Sequence, residues 1–483
     1  MSGHAAGNGA SGAAHDRLCV DVAVVGRGAV GAAAALAAAR AGWSTALIGR
    51  RGPAQASTPT DPWDLRVFAL SPLARTLLDS IGVWPLLDAA RVAPVHDMRV
   101  WPVFASRADE LHFSAYESCI DALAWIVEQR NLMQALERAL GATPVQIIDA
   151  GFASFASFSG SAFAGSGSRP SLSATEDPGA PAQPSRSPSG VRELLLDDGR
   201  RVEARLVIGA DGALSPVRAA AGIRHTLSEY PQRALVAHFD TALSHRDGAY
   251  QWFGEDGILA LLPLPAEPRG YAPLSADGGR SRAHPDSASA GTAAPAKARR
   301  VSSPVGRVSI VWSAPGALAD ELQALAPEDL AARVERASGS LLGAMTPISR
   351  VQQFPLRLIR VSSMTAGRVA LAGDAAHVVH PLAGQGMNLG FGDVAELARI
   401  LGARDAVDDP GDGRFLHRYE RRRAEPVAAM RFTTDALQRL FDHHHPPVPA
   451  PLDRLARAAV RTGWRVVAHS HLMRTLLIGR AVR

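Results

Sequence analysis

Residues 20–31 read VDVAVVGRGAVG, and this stretch predicts the core of the fold. The valine-rich run 20–25 favours a buried strand, and the pattern Gly26-x-Gly28-x-x-Gly31 follows it directly. In such a pattern Gly26 permits a tight turn, Gly28 lets backbone amides approach a pyrophosphate, and Gly31 lets the next helix pack on the strand. The N-terminus of that helix adds partial positive charge. The stretch therefore predicts a dinucleotide-binding site.

The residues after the glycine turn complete a strand, helix, strand unit. Residues 32–41 are strong helix formers and residues 45–48 are again strand-like. An acidic residue that binds the ribose hydroxyls is expected at the end of the second strand. Gly49 occupies this position, and Arg50 and Arg51 follow. The adenosine ribose must therefore be held by backbone, by water or by another segment.

The composition favours a globular protein of two or three domains in a reducing compartment. The chain has 483 residues, 47% of them apolar, which is enough for a large core. Cys19 and Cys119 are too few for a disulfide framework, and Cys119 is expected to be a small core residue. No stretch has the pattern of a secretory signal, and the longest apolar run, 28–39, is too short to span a bilayer. We expect a cytoplasmic location.

The formal net charge of +5 does not indicate a nucleic-acid partner, because no aromatic-interleaved basic motif accompanies the arginines. The excess is concentrated at 452–483, where Arg454, Arg457, Arg461 and Arg465 recur at helical spacing. Two interpretations stay open. This segment is either a final helix with a solvated basic face, or a peripheral contact with anionic lipid at the inner face of the membrane.

Two further architectures follow along the chain. Residues 235–239, 249–253, 258–264 and 307–312 are strand-like, with no helix between most of them, which favours an antiparallel sheet. Segments 154–190 and 266–305 are rich in Ser, Gly, Ala and Pro and are expected to be surface loops. We expect a flexible tail at 1–18, a discontinuous cofactor domain at 19–80, 118–225 and 353–405, a substrate-sheet domain at 81–117 and 226–352, and C-terminal helices at 406–483.

Two later motifs point to the same chemistry. Residues 205–212 form a strand that ends in Asp211-Gly212, and this string resembles the Asp-Gly motif of class A flavoprotein monooxygenases, the group of para-hydroxybenzoate hydroxylase. Residues 373–377 read GDAAH and 380–390 read HPLAGQGMNLG. The latter string, together with Asp393, is similar to the hydroxylases of ubiquinone biosynthesis. The same similarity extends to four shorter strings: DLRV and ALS at 64–71, IVEQR at 126–130 and LLPL at 261–264. The resemblance covers roughly 21–477.

This resemblance implies FAD as the cofactor and an α/β (α+β) fold: a Rossmann-like FAD-binding domain of the para-hydroxybenzoate hydroxylase type, an inserted, mostly antiparallel substrate sheet, and C-terminal helices. It implies that Asp374 binds the ribityl and pyrophosphate region, although Asp374 could also cap the next helix. Arg66 would approach the flavin, with a surface salt bridge as its alternative. The further cofactor-binding residues that it implies are Arg130, Asp211, Gly212, Gly373, Gln385, Met387 and Asn388.

The flavin ring is expected to lie against Pro381 and the segment 384–388. Gly384 and Gly386 expose backbone N–H groups at a helix start, where they can stabilise negative charge on the reduced ring. His377 and His380 lack a third ligand at a metal spacing, so we expect no metal site. We expect His377 to bond backbone instead.

The resemblance also implies the reaction. NAD(P)H would reduce the flavin, dioxygen would add at C4a, and a prenylated phenol would be hydroxylated, with association with other ubiquinone-biosynthesis enzymes left open. Three alternatives stay open: a hydroxylase of another aromatic such as a polyketide, a flavin-dependent reductase or halogenase, and a non-catalytic scaffold that has lost firm FAD binding. Gly49 is the feature that favours the scaffold.

Overall fold

The computed structural model describes residues 17–52, 63–102, 110–156, 190–254, 256–265, 305–379, 385–403 and 409–441; side chains are not described for 385 and 432–441. The predicted tail, both low-complexity segments and the basic stretch 452–483 lie wholly or mainly outside these ranges. Within them, no helix is both long and apolar enough to cross a membrane.

The described strands form three sheets. The first sheet has eight strands, β1 (Arg17–Val25), β2 (Thr45–Ile48), β8 (Gln146–Ile148), β9 (Phe152–Phe155), β10 (Arg192–Leu196), β11 (Arg201–Gly209), β18 (Thr365–Ala366) and β19 (Val369–Leu371). The second has nine, β5 (Asp97–Trp101), β6 (Leu111–Ser114), β12 (His225–Thr241), β13 (Gly248–Gly254), β14 (Gly257–Leu264), β15 (Gly306–Pro315), β16 (Met345–Pro347), β17 (Gln352–Val361) and β20 (His377–Val378). The small sheet has three, β3 (Val67–Leu70), β4 (Val92–Val95) and β7 (Ala124–Glu128).

Helices cover these sheets. Those in the described residues are α1 (Ala29–Arg40), α2 (Pro72–Ser80), α3 (Gln129–Gly141), α4 (Pro216–Ala220), α5 (Gly316–Ala324), α6 (Pro327–Ala337), α7 (Gln385–Gly402) and α8 (Gly413–Phe441). Helices α1, α3 and α7 contribute buried residues to the same core as the first sheet. Helices α5 and α6 pack on one face of the second sheet, and the small sheet packs on its opposite face. This arrangement confirms the α/β class with an inserted sheet.

The central strands of the first sheet, whose ends carry the fingerprint and the later glycine turns, are parallel. Strand β1 lies between β11 and β2 and is parallel to both, while β19 lies beside β11 and β8 beside β2. Helix α1 has alanine at most of its positions, and its close packing on β1 leaves nine of its residues buried. Because parallel strands all end at one edge, the loops after β1, β11 and β19 come together.

The predicted elements agree with the structure over most of the described chain. The strand at 45–48 has the predicted bounds, and Ser71 caps α2 by accepting a hydrogen bond from Ala74 N, with Pro72 at its first position. In the second sheet β12, β15, β14 and β13 pair antiparallel, whereas β13 and β5 pair parallel. Sheet membership differs from the expected domain ranges: β4 pairs within the small sheet, and β17 and β20, from the range 353–405, belong to the second sheet.

Candidate active site

Three loops meet at the carboxyl edge of the first sheet: the fingerprint turn (26–31), the Asp-Gly turn (211–212) and the Gly-Asp turn (373–374). Ala210 N donates to Val25 O at 2.7 Å, and Ala372 N donates to Gly209 O at 2.9 Å. These two hydrogen bonds join the ends of β1, β11 and β19 in series. The structure therefore brings together motifs that are more than 340 residues apart in the sequence.

The fingerprint glycines differ in what surrounds them. Gly26 has φ +115°, and a Cβ there would overlap the carbonyl oxygen of Ala210. A Cβ on Gly31 would overlap the carbonyl oxygen of Gly26. Gly28, in contrast, has ordinary extended φ and no atom within 4 Å of its Cβ position. Gly26 and Gly31 therefore permit the turn, whereas Gly28 faces open space at the N-terminus of α1.

Val30 connects the two ends of the site. Its side chain lies 3.2 Å from the Cβ position of Gly373 and 2.7 Å from that of Gly390 on α7. Gly373 also has φ +61°, a backbone conformation that favours glycine. Glycine at 373 and 390 thus lets α7 and the Gly-Asp turn pack directly on the fingerprint helix.

Asp211 carries an unsatisfied oxygen. Its Oδ2 accepts from Val217 N at 3.0 Å, while its Oδ1 is buried and has no hydrogen-bond partner. Desolvation by burial raises the pKa of Asp211, against the opposing effects of hydrogen bonds and Arg218. The next residue, Gly212, has φ +85° and open space around its Cβ position. A buried acceptor next to open space is typical of a site that a ligand completes.

We expect Asp211→Asn to stabilise the apoprotein at pH 7 by about 1 kcal/mol, since it removes a partly buried charge whose Oδ1 has no hydrogen-bond partner. The pKa of Asp211 is higher in the folded than in the unfolded state. The wild-type protein therefore loses no stability to this charge below the unfolded-state pKa, and it loses stability as the pH rises through the folded-state pKa. Thermal midpoints of both apoproteins between pH 4 and 8 should therefore diverge with rising pH. The control Asp198→Asn, at a fully exposed carboxylate paired with Arg200, should not stabilise. A less stable D211N at pH 7 would contradict this expectation.

Arg218 holds two of the turns in place. Its guanidinium is buried, donating from Nη1 to Ala375 O at 2.9 Å and from Nη2 to Ala213 O at 2.8 Å. These bonds tie the Asp-Gly turn to the Gly-Asp turn. Sequence reasoning gave Arg218 no role, because its acceptors are backbone oxygens that leave no signal in the sequence.

Asp374 is exposed at the Gly-Asp turn. Its side chain is reached by solvent, yet desolvation by the surrounding protein raises its pKa, while the charges of His377 and Arg66 oppose this shift. Arg66 is therefore within electrostatic range of Asp374. Both predicted cofactor contacts, one from the Gly-Asp turn and one from the strand β3 region, face the same region.

Asp64 places Arg66 next to Arg130. Its Oδ1 accepts from Arg66 N at 3.0 Å, its Oδ2 accepts from Arg130 N at 2.9 Å, and Gln129 N donates to Arg66 O. The Arg66 guanidinium lies over the ring of Phe354, 5.1 Å from its centroid. The resemblance had identified the string around Asp64 but had given this buried carboxylate no role.

The start of α7 is described only in part. Pro381 and Gly384, and the side chain of Gln385, lie outside the described residues. Gly386 has no atom within 4 Å of its Cβ position, and Met387 packs against the core of the first sheet. Asn388 accepts from Ser71 N at 2.9 Å and donates to Ala69 O at 2.8 Å. Its side chain thus joins α7 to β3.

A buried ionic cluster lies behind the Gly-Asp turn. Asp393 on α7 is fully buried; its Oδ2 accepts from Gly373 N and from His377 Nε2, and its Oδ1 accepts from Arg423 Nε at 2.7 Å. Burial alone would raise the pKa of Asp393, but His377, Arg423 and these hydrogen bonds lower it overall. Tyr419 donates to Leu371 O from the same helix as Arg423. Sequence reasoning missed Arg423 and Tyr419, which carry no motif.

Two expectations need correction. His377 bonds the carboxylate of Asp393 at 2.7 Å and not backbone, because α7 brings a buried acid to it. Cys119 is exposed in a turn with φ +53° and is not a core residue, since residues 116–119 form a tight turn after β6. In the part of the chain that the structure describes, no group of three or more His, Cys, Asp or Glu side chains could hold a metal ion.

These features fit a dinucleotide such as FAD. The open space around Gly28 and Gly212 admits a phosphate-bearing ligand, and the unsatisfied Oδ1 of Asp211 supplies a buried acceptor beside it. Asp374 adds a solvent-accessible carboxylate at the Gly-Asp turn. Arg66 and Arg130 add positive charge on the side of the site formed by β3 and α3.

Comparison with known proteins agrees with this interpretation. A family model described as an FAD binding domain matches residues 183–433. The ubiquinone hydroxylase UbiL of Rhodospirillum rubrum is 33% identical over 471 residues, which cover 95% of this chain and 90% of that protein. The 3-demethoxyubiquinol 3-hydroxylase of Escherichia coli is 29% identical, with 92% and 95% covered.

Solved structures show the same fold. PqsL of Pseudomonas aeruginosa, in complex with 2-aminobenzoylacetate, has a TM-score of 0.64 at 20% identity over 94% of this chain and all of that one. The p-nitrophenol 4-monooxygenase PnpA of Pseudomonas putida has a TM-score of 0.62 at 16% identity, with 96% and 99% covered. Since the FAD model spans slightly more than half of the residues and a relative at 33% identity spans nearly all of them, the chain belongs to the FAD-dependent monooxygenases of the ubiquinone-biosynthesis hydroxylase family.

Proposed function

We propose that this protein hydroxylates the aromatic ring of a prenylated phenol in ubiquinone biosynthesis, with NAD(P)H and dioxygen as co-substrates. The observation that carries the proposal is the convergence of the fingerprint, Asp-Gly and Gly-Asp turns on one open region beside the second sheet. Two relatives that match nearly the whole chain are named as a ubiquinone hydroxylase and a 3-demethoxyubiquinol 3-hydroxylase. Bound FAD would supply the redox chemistry that activates dioxygen.

The residues of this chain would bind and orient that cofactor. The backbone at Gly26 and Gly28 and the N-terminus of α1 would hold the pyrophosphate, and Asp374 would accept hydrogen bonds from the sugar hydroxyls. Backbone N–H groups at Gly384 and Gly386, with Pro381, would lie at the ring and stabilise its negative charge after reduction. The side chains of Asp393 and Asn388 hold this helix start against the Gly-Asp turn and β3.

The nicotinamide substrate would bind transiently, because the sequence contains one fingerprint turn and the proposed FAD occupies it. The protein would then accept a hydride donor in the same region without a second dinucleotide-binding domain. Arg66 and Arg130, which Asp64 holds side by side, offer positive charge there.

The proposal is tested on the purified full-length protein. Its visible spectrum should show flavin bands, directly or after FAD is added. NADPH or NADH oxidation in air should rise when a short-chain prenylphenol is added, and mass spectrometry should find a product heavier by one oxygen. Oxidation without an oxygenated product would favour a reductase, and faster turnover of an unprenylated aromatic would favour another hydroxylase.

One observation favours the non-catalytic scaffold as a second candidate. Gly49 lacks the carboxylate that would hold the ribose, and a side chain there would lie within 2.9 Å of Arg27 N. A scaffold would remain colourless after FAD addition while keeping a cooperative unfolding transition. A charge-assisted contact of this type contributes only about 1.5–3 kcal/mol, so its loss alone need not abolish FAD binding.

We further propose that the segment 452–483 binds anionic lipid, so that the enzyme reaches a substrate held in the membrane. Its arginines recur on one helical face of the sequence. Changing Arg454, Arg457, Arg461 and Arg465 to glutamine should lower co-sedimentation with phosphatidylglycerol vesicles at least tenfold, at about 1 kcal/mol per charge. Binding to neutral phosphatidylcholine vesicles should be weak for both proteins. Unchanged binding to anionic vesicles would sink the proposal.

A further inference from the structure

Gly49, which stands where a ribose-binding acid is expected, has charged residues around it. Gly49, at the end of β2, faces the fingerprint turn, since its Cβ position lies 2.9 Å from Arg27 N and 3.0 Å from Arg27 Cβ. Residue 49 therefore lies at the end of β2 and beside the fingerprint turn, where a ribose-binding carboxylate is expected. A carboxylate cannot be restored at this position without a structural change, because any side chain at 49 would require Arg27 to move.

Glu137, on α3, pairs with arginines that flank Gly49. Arg27, from the fingerprint turn, and Arg51, two residues beyond Gly49, both extend toward Glu137 on α3. Arg27 Nη2 is 3.9 Å from Glu137 Oε1, and Arg51 Nη2 donates to Glu137 Oε2 at 3.3 Å. The two arginines flank the missing acid in sequence and converge on the same side chain in space.

Glu137 has capacity left for a ligand. A carboxylate accepts about four hydrogen bonds, and each of its oxygens here faces a single guanidinium group. Its side chain is 38% exposed, so solvent and ligand can reach it. Glu137 is also seven residues after Arg130, which is two helical turns and places both on the same face of α3. The face of α3 that begins at the proposed cofactor contact thus continues to Glu137.

We propose that Glu137 holds the adenosine ribose of FAD in place of the carboxylate that Gly49 lacks. Arg27 and Arg51 would position its carboxylate, leaving the remaining lone pairs to accept from the ribose hydroxyls. This assignment rests on the proposed binding of FAD at the fingerprint turn. The nearby Asp149 is a rival acceptor, because its Oδ1 accepts from Arg51 N at 3.1 Å, but Arg27 is paired with Glu137.

The test measures the affinities of the full-length apoprotein and its variants for FAD and for altered flavins. Binding is monitored by the quenching of flavin fluorescence. Glu137→Ala should weaken FAD binding about tenfold or more, the size of one charge-assisted hydrogen bond, and should leave binding of FMN, which has no adenosine, unchanged. FAD lacking the ribose 2′- or 3′-hydroxyl should bind the wild type about tenfold more weakly than FAD does, and E137A equally well. The matched control Asp149→Asn should change neither affinity by more than about twofold.

The outcomes separate this assignment from the proposed function. If the wild type binds no FAD at all, both fail. If the wild type binds FAD and E137A binds it equally well, or if D149N is the weakened variant, only the Glu137 assignment fails. Tighter binding of 2′-phospho-ADP-ribose than of ADP-ribose would also overturn it, since the arginines would then contact the ribose directly.

Discussion

Asp393→Asn is expected to cost about 3–5 kcal/mol of folding free energy, the usual cost when one partner of a buried ion pair is removed. An amide can accept on one side only, so its NH₂ group would face either Arg423 or the donors from Gly373 and His377. Arg423 would remain 93% buried with its charge uncompensated. Urea unfolding of the purified variant would measure the loss, and FAD affinity should fall with it because Asp393 supports the Gly-Asp turn through Gly373 N.

The pH dependence gives this prediction a second readout. Because the folded-state pKa of Asp393 is lowered, its stabilising effect is fully present above the unfolded pKa of about 4 and is lost as the pH falls through the folded value. The difference between wild type and variant should therefore be constant from pH 8 to about pH 5 and narrow below pH 4. The control is Asp412→Asn, at an ion pair whose Arg414 is 85% exposed; it should cost under about 0.5 kcal/mol. Equal losses in the two variants would contradict the role of Asp393.

The second large effect separates two glycines of the same motif. Gly28→Ala should leave the apoprotein folded, at most about 1 kcal/mol less stable because Gly28 caps α1, since no atom lies near its Cβ position. It should weaken FAD binding by about 5- to 150-fold, which corresponds to the 1–3 kcal/mol of an overpacked contact. Fluorescence titration and thermal unfolding of the apoprotein measure the two quantities separately.

Gly31→Ala is the matched control and should behave in the opposite way. Its Cβ would overlap the carbonyl oxygen of Gly26, so the fingerprint turn itself must distort and the apoprotein should lose about 3 kcal/mol or fail to fold. A stable G31A protein, or a G28A protein with unchanged FAD affinity, would show that the open space around Gly28 is not where the cofactor binds.

The order of strands and helices around the fingerprint could be predicted because its signals are local. A valine run, a glycine turn and an alanine-rich helix specify β1 and α1 within a few residues, and Ser71 with Pro72 specifies the start of α2. Strand-like runs with no helix between most of them predicted the antiparallel strands β12 to β15. The missing acid at Gly49 was also evident from its spacing.

Partners distant in sequence could not be predicted in this way. Arg423 is on α8, and no motif connects it with Asp393; their contact depends on how α7 and α8 pack. Arg130 and Glu137 share a helix face, but only the packing of α3 beside the end of β2 places Glu137 near Arg27. Cys119 could not be placed either, since a small apolar residue fits a core or a turn equally well by composition.

The sequence by itself determined that this chain has a dinucleotide fingerprint, two further turns of the flavin monooxygenase type and a sheet of antiparallel strands. Each of these features is encoded by residues that are neighbours in the chain. The tertiary structure alone decided which buried charges are paired, which glycines face open space and which carboxylate pairs with Arg27. Those properties depend on desolvation and on contacts between elements hundreds of residues apart, and no local pattern encodes them.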